Sequence, residues 1–176
     1  MAKMNRITSF PPIAEKSAQW LILGSIPGVL SLQANQYYAH PRNAFWRIMA
    51  SLYGFNEDLP YESRAAQLKA SGVAVWDVLH SCMRVGSLDS AIENGSRIPN
   101  DFALFFKTYP HIKLVGFNGG EAEKSFNQLV MPKLKLCHNL NMNSIRFVRL
   151  PSTSPAHALS LEKKVTAWRE ALFNKE

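Results

Sequence analysis

Along this chain, short solid apolar runs alternate with longer stretches in which apolar residues recur every three or four positions. Solid runs of this length suit strands buried on both faces, and the three-to-four spacing suits amphipathic helices. Their alternation predicts an α/β domain: a central, mostly parallel four-stranded sheet between helical layers, a three-layer α/β/α arrangement.

The first predicted strand is Trp20 to Leu23. After a long polar and aromatic loop, Phe45, Ile48, Met49 and Leu52 recur at helical spacing, with Gly54 placed to end the helix and Asn43 able to cap its start. A second helix spans Tyr61 to Ala70 and stops at Gly72, and Val73 to Val78 reads as a buried strand. His80 to Pro99 has no clear period and is too long for an ordinary connection, so it is expected to be a functional loop. Asn100 caps a helix through Phe105 to Lys107, and Ile112 to Phe117 is the third strand. Gly119-Gly120 opens a helix presenting Ala122, Phe126, Leu129 and Val130. The fourth strand is Ile145 to Leu150, followed by a rigid turn, Pro151 to Pro155, and a last helix marked by Leu161, Val165, Trp168 and Leu172.

If the four strands are parallel, four polar segments gather at one edge of the sheet: the loop after Gly24, the segment from Asp77 to Arg84, the pair Asn118-Gly119, and the turn Pro151 to His157. Ligands of open α/β sheets bind at that edge.

Composition narrows the class. A chain of 176 residues, 47% hydrophobic and 11% aromatic, suits one domain, residues 1–176. No apolar run is long enough for a membrane span, and the first dozen residues lack the order of a secretory signal, so a soluble, cytoplasmic protein is expected. Cys82 and Cys137 have no partners at metal-ligand spacing, so no metal is expected and both read as structural thiols. The formal charge of +7 is uneven: residues 1–110 carry ten Lys/Arg against eight Asp/Glu, and residues 111–176 carry ten against five. A polyanionic partner fits this balance, and so does simple solubility.

Gly24 and Gly28 allow a tight turn that Pro27 stiffens, which suits close approach to a ligand. The segment is neither a P-loop nor a dinucleotide fingerprint. Ser25 and Ser31 invite a serine-hydrolase reading, but the glycine spacing departs from a nucleophile elbow and a triad would need His157 plus an unassigned acid.

The combination is more specific. Gly24-Ser25-Ile26-Pro27-Gly28, Tyr37-Tyr38, Pro41-Arg42-Asn43-Ala44-Phe45-Trp46 and the proline-bounded, serine-rich turn Pro151 to His157 together resemble the uracil-DNA glycosylase superfamily. Within it they look most like the hypoxanthine (deoxyinosine) DNA glycosylases, and next the mismatch-specific uracil/thymine glycosylases. The resemblance runs from about Trp20 to His157 and implies that fold, a DNA substrate, no cofactor and a monomer.

In that superfamily an Asp or Asn usually precedes the proline of the first motif. Here the position is Ile26, which can neither orient nor deprotonate water. The resemblance moves the catalytic role to Asn43, whose amide would hold a water against the anomeric carbon, although Asn43 also reads as a helix cap. Phe45 takes the base-stacking position by resemblance, and its spacing equally suits core. Gly24, Ser25, Asn118 and Tyr38 are the remaining base-binding candidates. Tyr37 and Tyr38 could line the mouth or pack the loop, and Asn118 could equally be a turn residue. Asp77 is expected to pair with Arg84 or to accept from a purine N–H. Ser152 and Ser154 would grip phosphate, through hydroxyls and backbone N–H groups, with His157 near the leaving base or phosphate. Lys163, Lys164 and Arg169 read as a solvated face able to reach DNA, with Lys163 the DNA contact, and Trp20, Trp76 and Trp168 read as core.

The expectation is a monofunctional DNA glycosylase that removes deaminated bases, hypoxanthine first and uracil second, leaving an abasic site. Its rivals are a mismatch-specific uracil/thymine glycosylase and a non-catalytic nucleic-acid-binding module on the same scaffold.

Overall fold

A computed structural model describes residues 4–174. Among them are seven strands: β1 (Asn5–Thr8), β2 (Trp20–Gly24), β3 (Val73–Asp77), β4 (Leu79–Arg84), β5 (Ile98–Pro99), β6 (Leu114–Asn118) and β7 (Arg146–Leu150). The helices are α1 (Val29–Ala34), α2 (Phe45–Tyr53), α3 (Tyr61–Ala70), α4 (Phe102–Thr108), α5 (Gly120–Ser125), α6 (Met131–Lys135) and α7 (Leu161–Phe173). No described helix is long and apolar enough to cross a membrane.

The four apolar runs form one fully parallel sheet in the order β3-β2-β6-β7, with Ile22 opposite Val75 on one side and Gly116 on the other. Successive strand residues face opposite sides, so the solid runs of β2 and β3 bury both faces and call for helices on each. On one face α2 and α3 lie beside α7, with Phe45 edge-on to Trp168 at 6.2 Å. On the other, Trp76, Phe102, Phe105, Phe117, Phe126 and Phe147 form a continuous aromatic layer under α4 to α6. Each such ring pair adds about 0.5–1.5 kcal/mol beyond burial.

The order of strands decides where a ligand can sit. The chain passes from β2 to β3, then crosses back over β2 to β6 and on to β7. The segments leaving β2 and β6 therefore diverge, and a crevice opens at their carboxyl ends.

Three details differ from the sequence reading. His80 to Pro99 is not one loop: β4 and β5 form an antiparallel sheet with β1, in the order β1-β4-β5. Polar residues conceal it, because Ser81 is buried against the Arg6 guanidinium and Arg84 is buried on backbone carbonyls. Val29–Ala34, read as loop, is a short helix ended by Asn35 in the left-handed region. Asp101, not Asn100, caps α4 by accepting from the Leu104 N–H, while Asn100 donates to the Asp77 carbonyl.

Candidate active site

A cavity of about 730 Å³ opens where the four parallel strands end. Gly24, Asp77 and Asn118 end β2, β3 and β6 on its wall, and residues 25–31, 37–38, 40, 42–43, 87–90 and 152–157 complete it. Of the segment expected to be a functional loop, only residues 87–90 reach the cavity.

Its floor is built around Gly24. A Cβ there would lie 2.6 Å from the Asp77 Oδ1 and 2.9 Å from the Tyr38 hydroxyl, so a side chain at this position would displace one or both. Tyr38 holds a left-handed conformation (φ 55°), and its hydroxyl is buried with no hydrogen-bond partner among the described residues. A non-glycine residue there stores strain of about 1–3 kcal/mol and is characteristic of functional sites. Burial, reinforced by Asp77, raises the Tyr38 hydroxyl above its ordinary pKa.

Phe45 does not present a face to the cavity. It is 0% exposed and stacks on Tyr38 with ring centroids 4.0 Å apart, so Tyr38 offers the open aromatic surface and Phe45 backs it. Helical spacing with Ile48 and Met49 turned Phe45 inward, as its core reading required. The adjacent tyrosines differ in what holds them: the Tyr37 hydroxyl donates to the Phe10 and Pro11 carbonyls, and its backbone carbonyl accepts from the Trp46 indole, so Tyr37 packs the loop where it borders the cavity.

Asn43 lines the cavity just ahead of α2. Its Oδ1 accepts from the Phe45 N–H at 2.9 Å, an i to i+2 turn at the entry of α2 that fixes the amide, while the N-cap position expected of Asn43 falls to Ala44. One oxygen lone pair and the NH₂ group remain for a ligand. The turn and a role in the site are therefore compatible. Ile26 is buried in the same wall and supplies no polar group.

Ser25 lines the cavity and donates to the Asp89 Oδ1 at 2.7 Å. Burial, opposed by that hydrogen bond, raises the Asp89 carboxyl above the usual range. The Ser31 hydroxyl accepts from the Ala39 N–H. Neither serine is hydrogen-bonded to a histidine among the described residues, so the nucleophile activation that a serine hydrolase requires is not assembled.

Asp77 departs from expectation. It makes no ion pair with Arg84, which donates instead to the Gly86 carbonyl and, at 2.5 Å, the Pro27 carbonyl. Asp77 is 4% exposed, its Oδ2 accepts from the Ser9 hydroxyl at 2.9 Å, and it lines the cavity. Burial pushes its carboxyl up to about 7; the Ser9 hydrogen bond opposes this, Asp89 adds to it and Arg84 opposes it.

Asn118 lines the cavity and also ties the architecture together, with one N–H and one oxygen lone pair left over. Its Nδ2 donates to the Thr153 hydroxyl and its Oδ1 accepts from the Thr153 N–H, both at 2.9 Å, which clamps the end of β6 to the turn after β7. Gly119 (φ 95°) fits beneath Ser152, where a Cβ would come within 3.2 Å of the serine Cβ. In the turn itself, the Ser152 hydroxyl accepts from the Ser154 N–H and the Ser154 hydroxyl accepts from the Ala156 N–H. Those N–H groups are thus committed, and the anion site expected from them reduces to the two hydroxyl protons. The turn also precedes the last helix by several residues; Ser160 caps α7. His157 is exposed at the mouth.

Lys164 is no solvated residue. It is buried, and its ammonium donates to the Ser154 carbonyl at 3.1 Å; burial, then Arg47, lowers its pKa. Lys163 and Arg169 are exposed on α7, and Lys163 is outside the cavity wall. Leu88 and Ser90 are among the wall residues that sequence reasoning left out, and His40 and Arg42 join them from the matched motif, while Ser87 and Asp89 lie in the segment expected to be a functional loop. The role of Ser87 carried no sequence signal, because it is to accept from the Val29 N–H across 58 residues of chain.

A profile described as the uracil DNA glycosylase superfamily matches residues 11–175. A hypoxanthine DNA glycosylase of Methanosarcina barkeri is 33% identical over 166 residues, 92% of this chain and 95% of that protein. A hypoxanthine DNA glycosylase of Methanosarcina acetivorans is 38% identical over 114 residues, 64% of this chain and 71% of that protein. A solution NMR structure of a provisionally assigned uracil DNA glycosylase from Methanosarcina acetivorans superposes with a TM-score of 0.74 at 29% identity, covering 94% of this chain and 98% of that one. With a match across nearly its whole length and the cavity at the ends of its parallel strands, the chain belongs to the uracil DNA glycosylase superfamily.

Proposed function

We propose that this chain hydrolyses the N-glycosidic bond of hypoxanthine in DNA, accepts uracil second, and leaves an abasic site as part of base excision repair. The relatives that carry this activity by name span most of the chain. The single observation that favours it is Asn43, held in the cavity wall by the Phe45 N–H with hydrogen-bonding capacity to spare.

A base inside a duplex must leave the stack before this cavity can receive it, and an aromatic face then replaces the lost stacking. Tyr38, backed by Phe45, supplies that face. Bond cleavage builds positive charge on the sugar and negative charge on the base, so a water at the anomeric carbon and donors at the base both lower the barrier. Asn43 positions the water. Gly24 and Ser25 border the base, and Asn118 contributes by holding the 151–155 turn in place. The free hydroxyl protons of Ser152 and Ser154 face phosphate, with His157 at the mouth and Lys163 farther along the backbone of the DNA. No lysine is among the described wall residues, which favours direct hydrolysis over a Schiff base and strand cleavage. The reading has the protein acting as a single-domain, cytoplasmic monomer.

Duplexes carrying one inosine or one uracil, incubated with the protein and heated in alkali, test it. The expected result is cleavage at inosine above uracil, loss of turnover with retained DNA binding in Asn43→Ala, and one protomer per particle by light scattering. Retained turnover in Asn43→Ala refutes the assignment of the water, and no cleavage by the wild type favours the non-catalytic binding module.

A further inference from the structure

We propose that the Asp77 carboxyl binds the edge of the flipped-out base and gives its proton to that base as the glycosidic bond breaks; this rests on the glycosylase reading above. Asp77 ends β3 at the floor of the cavity, and its two oxygens are distinct. Oδ2 accepts from Ser9, which fixes the carboxyl. Oδ1 has no recorded hydrogen-bond partner among the described residues and lies over Gly24, 2.6 Å from where a Cβ would stand. The unpartnered Tyr38 hydroxyl lies 2.9 Å from that same point. A carboxyl oxygen at the cavity wall and a buried, unpartnered phenol thus converge on Gly24, a position with no side chain to fill the space between them. A buried polar atom left unpaired costs about 1–3 kcal/mol, which the polar edge of a ligand recovers.

The charge state decides what Asp77 can do. An ionised carboxylate would repel the anion that forms on the departing base, whereas a neutral acid can donate to it. Around the carboxyl stand Asp89, which favours the neutral form, Arg84, which opposes it with its guanidinium turned to the Gly86 and Pro27 carbonyls, the Ser9 hydroxyl, and the phenols of Tyr37 and Tyr38. Burial dominates, and about half of the population is protonated near neutral pH.

In the step itself the C1′–N9 bond breaks and its electron pair remains on the purine. The Asp77 proton passes to that purine, the water held by Asn43 bonds through oxygen to C1′ and releases its proton to solvent, and Asp77 is reprotonated from solvent. The sum is hydrolysis, with no further reactant.

Single-turnover release of hypoxanthine from an inosine duplex, followed from about pH 5 to about pH 9, tests the proposal; the wild-type rate is expected to fall about tenfold per unit above neutral pH. Asp77→Asn keeps the shape and the Ser9 contact but has no proton to transfer; about a hundredfold slower release near pH 6, with no descending limb and with duplex binding retained, is expected. Ser9→Ala removes the hydroxyl that favours the ionised carboxyl, so its descending limb moves to higher pH. An active wild type whose Asp77→Asn variant keeps the rate and the limb overturns this proposal alone, as does a Ser9→Ala limb that stays in place. A wild type that releases no hypoxanthine at any pH overturns the glycosylase reading together with it.

Discussion

Asp77→Asn should stabilise the fold relative to the wild type, by more at alkaline pH than at acid pH, whatever it does to activity. The carboxyl ionises near 3.8 when free and near 7 in the folded chain, chiefly because burial penalises its charged form. Below about pH 4 both states hold the proton and the group contributes nothing. Between about pH 4 and pH 7 the unfolded chain gives it up while the folded chain keeps it, so stability falls as pH rises. Above neutral pH the penalty is constant. At about 1.36 kcal/mol per pH unit of separation, the full penalty is about 4 kcal/mol above neutral pH and about 1.5 kcal/mol at about pH 5. Asparagine carries no charge, and its amide oxygen still accepts from Ser9, so the substitution removes the penalty and little else. Cavity water absorbs part of the difference, and a gain that grows by at least about 1 kcal/mol between about pH 5 and pH 8 is the discriminating quantity. Urea unfolding of both proteins at the two pH values reads it directly. A gain of equal size at both, or a less stable variant at pH 8, would refute the reasoning and remove the buried neutral acid from the site.

Other consequences concern the neighbours. Phe45→Ala should cost about 3–5 kcal/mol in thermal or urea unfolding, as a fully buried ring does, while Tyr38→Phe should be neutral or up to about 1 kcal/mol stabilising, since it removes an unpartnered hydroxyl; a stable Phe45→Ala that loses only base affinity would return Phe45 to the stacking role. Asn118→Ala should cost about 1–3 kcal/mol, because it strands the buried Thr153 N–H, and should speed hydrogen exchange in residues 151–157. Lys163→Gln should leave stability unchanged and lower the salt dependence of DNA binding by about one ion; an unchanged salt slope would remove Lys163 from the interface.

The catalytic candidates were unevenly legible. Asn43 stood out because its neighbours repeat a motif, and the turn it makes with the Phe45 N–H is a local feature that needs no tertiary partner. Phe45 illustrates the opposite: its spacing said core, its motif said stacking, and only the position of Tyr38 above it decides which ring faces the cavity. Asn118 stood out as a base-reading candidate from its place at a strand end, and only the tertiary structure shows that Thr153, 35 residues away, takes one N–H and one lone pair of its amide while the residue still lines the cavity. Lys164 looked solvated because sequence shows a charge and not the carbonyl that receives it.

By itself the sequence determined the four parallel strands, the main helices and the edge where the loops gather, because solid apolar runs and helical periodicity are local consequences of burying backbone that must hydrogen-bond to itself. It also determined that Ile26 leaves the first motif without a polar group. Only the tertiary structure decided the order β3-β2-β6-β7, the small antiparallel sheet hidden by its polar strand residues, and the pairing of Asp77 with Ser9 instead of Arg84. Those depend on which groups meet from distant parts of the chain, such as Ser9 and Asp77, 68 residues apart, and the energy of a buried charge is set by its surroundings and not by its place in the chain.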